Sequence, residues 1–496
     1  MNKFPAPPGV LFTQFCEQIY QFPAPQRAAR KVNMKLSDIR AALREIPISP
    51  AKTLGQNFLH DQNLARWIVD HAQITSEDYV VEIGPGLGAL TEFILEKGAR
   101  VLAIEKDARL ADFLRVRFGH ERLELLNIDA LKFDPRSLFA HRQVKLLGNL
   151  PYNISSALLL KFLERPSPIS LWLLMLQKEM AMRLSASPST HDYGALTLHV
   201  QLHHRVKYLR TVPETVFFPQ PDVDSAVVRI LPRDPLKLPA RDDQLLLRLI
   251  RAGFSQRRKQ LRKLLQTHVP DWDRAASHIN FNPKARAEEL SLLQWIDLAN
   301  FIAPVPRPDP RLTKSETFPI VDKNDRILGY ASRSQVHGNN LLHRAVHILI
   351  FNEAGEVYLQ QRSRWKDRHP LKWDSSAAGH VAARESYDET ARRELKEELG
   401  VSVPLQKISK LPAAQRTDHE FIWLYRGVVS SELVPNKSEI ETGTFLPSAM
   451  VDGWTSARPE NFAPGFLECW KAYRRKTVPT ANRLSRPQKF SPRQTA

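Results

Sequence analysis

Two sets of residues in this chain have the types and spacing for chemistry. The first is Asn149-Leu150-Pro151-Tyr152, which follows the apolar run Val144-Lys145-Leu146-Leu147 and Gly148. An exocyclic amine on a flat heterocycle is a poor nucleophile because its lone pair is delocalised into the ring. The Asn149 oxygen and the carbonyl of Leu150 or Pro151 can accept its two N–H bonds and draw that lone pair out of conjugation. The Tyr152 ring can stack on the base and hold it there. The second set is Glu394, Glu397 and Glu398. At i, i+3 and i+4 they share one helix face, and like charges at that spacing cost about 0.2–0.5 kcal/mol per pair. A hard divalent cation with oxygen ligands, Mg²⁺ first, turns that cost into a site. Alone, the first set reads as a strand-to-loop turn and the second as an acidic surface helix; their surroundings decide.

Around the first set the chain alternates strands and helices. Val144 to Leu147 reads as a buried strand ending at Gly148. Tyr79 to Ile83 is another, running into Gly84-Pro85-Gly86-Leu87-Gly88 and then a helix from Ala89 to Lys97. The glycines let the backbone turn tightly and approach a ligand, with spacing G-x-G-x-G rather than the dinucleotide G-x-G-x-x-G. A strand from Val101 to Ile104 ends in Glu105, an acid placed to hold a ribose diol, and one from Leu123 to Ile128 ends in Asp129-Ala130. Four polar strand ends on one edge of a parallel sheet imply a nucleoside-containing cofactor, because ligands bind there in open α/β folds.

Gly55-Gln56-Asn57-Phe58-Leu59, Glu82 to Gly88, Asn149 to Ser155 and Phe217 to Ser225 stand in the order and spacing of one family. Over roughly residues 35 to 303 the chain resembles the ribosomal RNA small-subunit adenine dimethyltransferases. The resemblance implies S-adenosylmethionine as donor and two adjacent adenosines, in a hairpin near the 3′ end of small-subunit rRNA in the 30S subunit, as acceptors. It places Asn57, Leu59, Gly84, Glu105, Asp129 and Asn149 around the donor. Glu105 takes the ribose hydroxyls, Asp129 the adenine amine, and Asn149 both donor and target. Tyr152 and Phe217 sandwich the extruded adenine, with a core position as the alternative for Phe217. The sulfonium leaving group supplies driving force, so alignment and charge matching suffice without a strong base.

Leu171 to Leu176 reads as a continuous apolar strand. From Arg251 to Leu265 a basic helix is expected, with Leu261, Leu264 and Leu265 inward and Arg257, Arg258, Lys259, Arg262 and Lys263 outward, facing RNA phosphates. Four prolines between Pro304 and Pro310 then make a stiff linker.

Beyond it, His343 to Phe351 and Glu356 to Gln361 are strand-like, and Tyr387, Ala391 and Leu395 line an apolar helix face. Gly379, Glu385, Arg393-Glu394, Glu397-Glu398 and Gly400 match the Nudix box at each fixed position. That similarity implies hydrolysis of a diphosphate-containing small molecule, with Glu394, Glu397 and Glu398 holding Mg²⁺ and Glu385 and Arg393 bracing the helix. The flank Trp373 to His380 also looks like the isopentenyl-diphosphate isomerase branch, but Ala378 stands where those enzymes carry their catalytic thiol, which favours a hydrolase.

At 496 residues the chain has room for about three domains of ~150 residues. Two cysteines exclude a disulfide framework or a Cys-rich zinc site, and no apolar run approaches the ~18 residues of a spanning helix. No membrane partner and a cytoplasmic location are expected. A net charge of +18, from 71 basic and 53 acidic side chains, points to a polyanionic partner. The expected class is α/β. A disordered Pro-rich extension (1–33, with Met34 a candidate start) precedes a Rossmann-like class I methyltransferase domain (34–233). Then come a small helical RNA-binding domain (234–303), a Pro-rich linker (304–313), an α/β/α Nudix domain (314–475) and a basic disordered tail (476–496). The rival reading is a non-catalytic small-subunit assembly factor with a nucleotide-binding Nudix module.

Overall fold

The computed structural model describes residues 35–46, 56–152, 154–308 and 316–477. The N-terminal extension, Met34, Gly55, Asn153, linker residues 309–313 and the tail past 477 lie outside the described residues. Strands β1 (Phe58–Leu59), β2 (Tyr79–Ile83), β3 (Arg100–Glu105), β4 (Leu123–Asn127), β5 (Val144–Asn149), β6 (Ile169–Gln177), β7 (His204–Val212), β8 (Phe217–Phe218) and β9 (Ser225–Pro232) build the first half. Seven of them form one sheet in the order β4-β3-β2-β5-β6-β9-β7. The first five are parallel, and β9 and β7 close the edge antiparallel.

Register explains why the polar strand ends meet. Ile83 pairs with both Ile104 and Gly148, so β2, β3 and β5 finish level with one another. Gly84, Glu105 and Asn149 each follow that row by one residue and share one edge. Gly148 is required by packing, since a Cβ there would lie 2.8 Å from the Ile83 carbonyl oxygen. Helices α1 (Gln62–His71) and α2 (Ala89–Glu96) cover one face, and α3 (Ser155–Leu163) covers the other. With both faces buried, β2, β5 and β6 are almost wholly apolar, as the sequence suggested.

The basic segment 251–265 is not one helix. Helix α4 (Asp243–Gly253) stops, a turn carries 254–260, and a short α5 (Leu261–Leu265) follows. At Gly253 a side chain would collide with buried Trp295, which packs directly on the helix end. Leu261 and Leu265 face the core and the five basic residues face outward, as expected. Residues 304–308 have no regular structure.

The second half is a three-layer unit. Its mixed sheet contains β10 (His343–Phe351), β11 (Val357–Arg362), β12 (Ala377–His380), β13 (Gln406–Leu411), β14 (Glu420–Val428) and β15 (Ile440–Leu446), with β10 and β14 parallel. Period-2 alternation divides β10 between two cores. Val346, Ile348 and Ile350 pack with Ala391 and Leu395 of helix α6 (Tyr387–Leu399). Ala345, Leu349 and Phe351 pack with helices α7 (Ser448–Ala457) and α8 (Pro464–Thr477). Helix α8 runs two residues beyond the expected boundary at 475.

The halves are in contact. Phe139, from the 3₁₀ turn Pro135–Ala140, stacks on Trp454 with ring centroids 4.0 Å apart. Among the described residues no helix is long and apolar enough to cross a membrane.

Candidate functional sites

The first site lies at the level edge of the parallel sheet. Gly84 and Gly86 hold φ of +64° and +58°, which lets the loop after β2 fold over the ends of β3 and β5. Its Gly86 N–H donates to Glu105 Oε2 at 3.2 Å and the Asp107 N–H donates to Oε1 at 2.9 Å. Both oxygens are thereby fixed, yet each keeps a lone pair for a hydroxyl donor. Burial pushes the Glu105 carboxyl up, opposed by these backbone bonds. Asp129 is held below its ordinary range by Lys106 (Nζ to Oδ2, 2.9 Å) and accepts the Leu131 N–H at 3.0 Å.

Asn149 Nδ2 donates to the Asn57 carbonyl at 3.1 Å, joining two residues far apart in the chain. This leaves Oδ1 of Asn149 as its outward acceptor. A Cβ at Gly84 would meet the Asn149 carbonyl at an ordinary 3.7 Å, so what favours glycine there is its φ of +64°. Tyr152 is half-buried, and its hydroxyl lies 2.6 Å from the hydroxyl of buried Ser225. Leu59 pairs with Phe217 across the short β1–β8 ladder. Phe217 is 3 % exposed and belongs to the apolar cluster beneath the site, which is the core position weighed for it; Tyr152 is the more open ring.

Two features here were not read from sequence. Glu82 is buried below the glycine loop, accepts the Thr91 hydroxyl at 2.6 Å, and is pushed up to about 7 by burial. Its position within an apolar strand was the available signal. Lys106, beside the anticipated Glu105, turned out to be the cation for Asp129. The five basic residues expected to face RNA are all exposed; Arg262 is engaged by Asp273 at 3.1 and 3.2 Å, and Arg257 donates to the His191 carbonyl.

The second site is on α6. Ser386 caps the helix and Gly400, at φ +72°, ends it, which fixes the phase of its glutamates. Arg393 forks onto both oxygens of Glu385 at 2.9 and 3.0 Å and reaches Glu394 and Glu397 at 2.9 Å each. Glu397 is the open carboxylate, with 56 % of its side chain exposed. Glu398 is buried, accepting Gln360 Nε2 at 2.9 Å and the Ala378 N–H at 3.2 Å. Ala378 thus serves through its backbone. Burial, first, and mutual repulsion raise Glu394; burial also raises Glu398, against the pull of Lys366. Any side chain at Gly379 would collide with the Glu394 carboxylate, so the glycine opens this corner. Crowded carboxylates that offer hard oxygen donors fit a divalent cation. They border a cavity of about 1180 Å³ whose wall also carries Arg362, Trp365, Lys366 and Arg368.

Beside the same cavity, with two of its members in the wall, lies a cluster that sequence reading missed. His337, His343 and His380 offer ring nitrogens within 4.8 Å of one another. Nδ1 of His337 faces Asp367 at 2.8 Å and Nδ1 of His343 faces the Leu341 carbonyl at 2.8 Å, which directs both Nε2 atoms inward. Burial holds His380 at about 3, hence neutral, 3.1 Å from Glu420. Oriented imidazoles beside a carboxylate could hold a cation that accepts nitrogen ligands. Three separate elements supply them, so no spacing pattern marks the set.

Residues 49–304 match the model of the family described as ribosomal RNA adenine dimethylase, and residues 341–464 match the NUDIX domain. The chain is 38 % identical over 262 residues to the ribosomal RNA small subunit methyltransferase A of Bacillus mycoides (strain KBAB4), covering 50 % of this chain and 90 % of that protein. The Bacillus cereus (strain AH187) protein of the same name gives the same figures. Among solved structures, the 23S rRNA methyltransferase ErmE is 27 % identical with a TM-score of 0.42, covering 50 % of this chain and 99 % of its own. DR0079 from Deinococcus radiodurans is 22 % identical with a TM-score of 0.29, covering 33 % and 100 %. The chain belongs to the ribosomal RNA adenine dimethylase family and carries a NUDIX domain after it.

Proposed function

We propose that the first half transfers methyl groups from S-adenosylmethionine to N6 of two adjacent adenosines in a hairpin near the 3′ end of small-subunit rRNA. The observation that carries this reading is the Asn149 side chain, anchored on Asn57 at the same sheet edge as Gly84 and Glu105. S-adenosylmethionine supplies an electrophilic methyl group when bound. Glu105 accepts its ribose hydroxyls and Asp129 its adenine amine, while Gly84 and Leu59 leave room beside Asn57. Asn149 Oδ1 accepts one target N–H, the neighbouring carbonyl of Leu150 or Pro151 accepts the other, and the nitrogen lone pair is freed toward the donor. Tyr152 stacks on the base, with Phe217 at the floor of the cleft. Arg257, Arg258, Lys259 and Lys263 meet phosphates, and Arg262 joins them on leaving Asp273. Such a substrate places the protein in the cytoplasm.

The test uses unmodified small subunits and the full chain. Asn149→Ala abolishes dimethyladenosine formation, read by mass spectrometry of the RNA. Undiminished methylation by that variant overturns the role given to Asn149, and no methylation by the wild-type chain overturns the catalytic reading in favour of the assembly-factor role.

For the second half the reading is a Nudix-type hydrolase of a diphosphate-linked small molecule, with Mg²⁺ held by Glu394, Glu397 and Glu398. The metal supplies Lewis-acid chemistry when bound. Arg362, Lys366 and Arg368 supply positive charge for phosphate oxygens, and Arg393 holds the carboxylates in register. Nucleoside diphosphate derivatives screened with Mg²⁺ against Glu397→Gln test it. Phosphate release that survives the substitution, or none from any compound, overturns it.

A further inference from the structure

The two halves meet where Arg364 donates from a terminal nitrogen to the Leu238 carbonyl at 2.8 Å and, more extensively, along the segment that links Asp129 to Asn149. Midway along it, Phe139 is buried in the apolar cluster of the second half, among Trp373, Trp454, Phe462 and Phe466. At Gly453 of α7 a Cβ would lie 3.2 Å from Ala140 Cβ and 3.3 Å from its Cα, so this glycine is what lets the helix seat on the turn. Immediately after α7, Arg458 donates from Nε to the His141 carbonyl at 2.9 Å and from a terminal nitrogen to the Pro168 carbonyl at 2.7 Å. One guanidinium therefore bridges the connections that enter β5 and β6. At the near end, the Leu131 N–H holds Asp129 Oδ1, and Lys161 holds the Leu131 carbonyl.

We propose that the C-terminal unit is a positioning surface for the methyl-donor pocket. Docking of α7 and Arg458 on residues 135–141 holds the segment whose two ends present Asp129 and Asn149. Phe139 acts as a core residue of the other half, so undocking exposes it and loosens both ends together. Donor binding and docking are then linked, and linkage is reciprocal: whatever loosens the dock weakens the donor, and donor tightens the dock. Arg458 is a positioning residue, since it touches neither donor nor RNA. The inference rests on the reading of Asp129 and Asn149 as donor-site residues.

The experiment uses the full chain in four forms: wild type, Gly453→Val, Arg458→Ala and Arg458→Lys. S-adenosylmethionine affinity is measured by calorimetry, and amide hydrogen exchange is followed over 130–141, over α7 and over β10 and β11. Gly453→Val and Arg458→Ala are expected to weaken the donor about 5-fold or more and to speed exchange over 130–141. Arg458→Lys, which keeps a donor and a charge, recovers part of the loss. β10 and β11 stay protected, which separates undocking from unfolding. In wild type, saturating donor slows exchange in α7, a readout that needs no substitution. Unchanged donor affinity with faster exchange over 130–141, or an α7 indifferent to donor, overturns the linkage. Asp129→Ala is the control: if it leaves donor affinity intact, the pocket assignment fails, whatever the dock does.

Discussion

The two sites of this chain are prepared in opposite ways. At the methyltransferase edge each acid already has its hydrogen bonds: Glu105 from two backbone N–H groups and Asp129 from Lys106 and Leu131. Nothing there calls for added charge. On α6, Glu394 and Glu398 are buried, repel, and sit above the ordinary carboxylate range, with Arg393 and Lys366 as partial relief. The acids of the first site are fixed by neighbours and keep lone pairs for a ligand; the crowded carboxylates of the second must hold a proton or a cation. The lesson is that an α/β sheet edge aligns a reaction by backbone geometry, whereas a carboxylate helix does so by repulsion that a metal must settle.

The largest effect expected is on the first site. Asn149→Ala should lower methylation kcat about 100-fold or more, as loss of one aligned polar contact does elsewhere, while calorimetric donor affinity falls far less. Equal losses in both would mean that Asn149 only binds donor. Next, Glu398→Gln should lower Mg²⁺-dependent hydrolysis by roughly 100-fold with methylation unchanged, and EDTA should do the same to the wild type. A methylation rate that fell with EDTA would erase the contrast.

A third expectation concerns pH. A carboxyl whose folded value is raised holds its proton when the unfolded chain has released it, so its contribution is fully present below the unfolded value and is lost as pH rises. Glu394, pushed up to about 8, should therefore cost the metal-free C-terminal unit stability as pH rises, and the net loss should show between about pH 6.5 and about pH 8, above the range in which buried, neutral His380 adds stability. Mg²⁺ should restore it most strongly at the upper end. Thermal unfolding with and without Mg²⁺ reads this, and a stability that climbs over that range contradicts it. The smallest effect is at the RNA face. Arg258→Ala should reduce the slope of log K against log salt for RNA binding by roughly 1, and Arg262→Ala by less, because that guanidinium is already spoken for by Asp273.

Much of this was legible because it is local. Positive-φ glycines after β2, the acid that ends β3 and the i, i+3, i+4 glutamates are each set by a few neighbours in sequence. What stayed hidden is what tertiary packing decides. Gly253 must lack a side chain because Trp295, from a distant part of the chain, and Leu261, from the next helix, pack against it. The inward nitrogens of His337, His343 and His380 exist only after three elements converge. Phe139 reads as an ordinary residue of the first half, and nothing beside it announces that Trp454 will stack on it.

The tether between Asn149 Nδ2 and the Asn57 carbonyl carries a final consequence. That bond uses one of the two amide N–H groups and fixes the plane of the side chain, and with it the direction of its oxygen. Under the role proposed for Asn149, a base that brings an amine hydrogen to that oxygen, adenine or cytosine, is favoured over guanine or uracil, which would bring a keto oxygen. The preference is then set in part by a contact on the side of Asn149 that the base never touches.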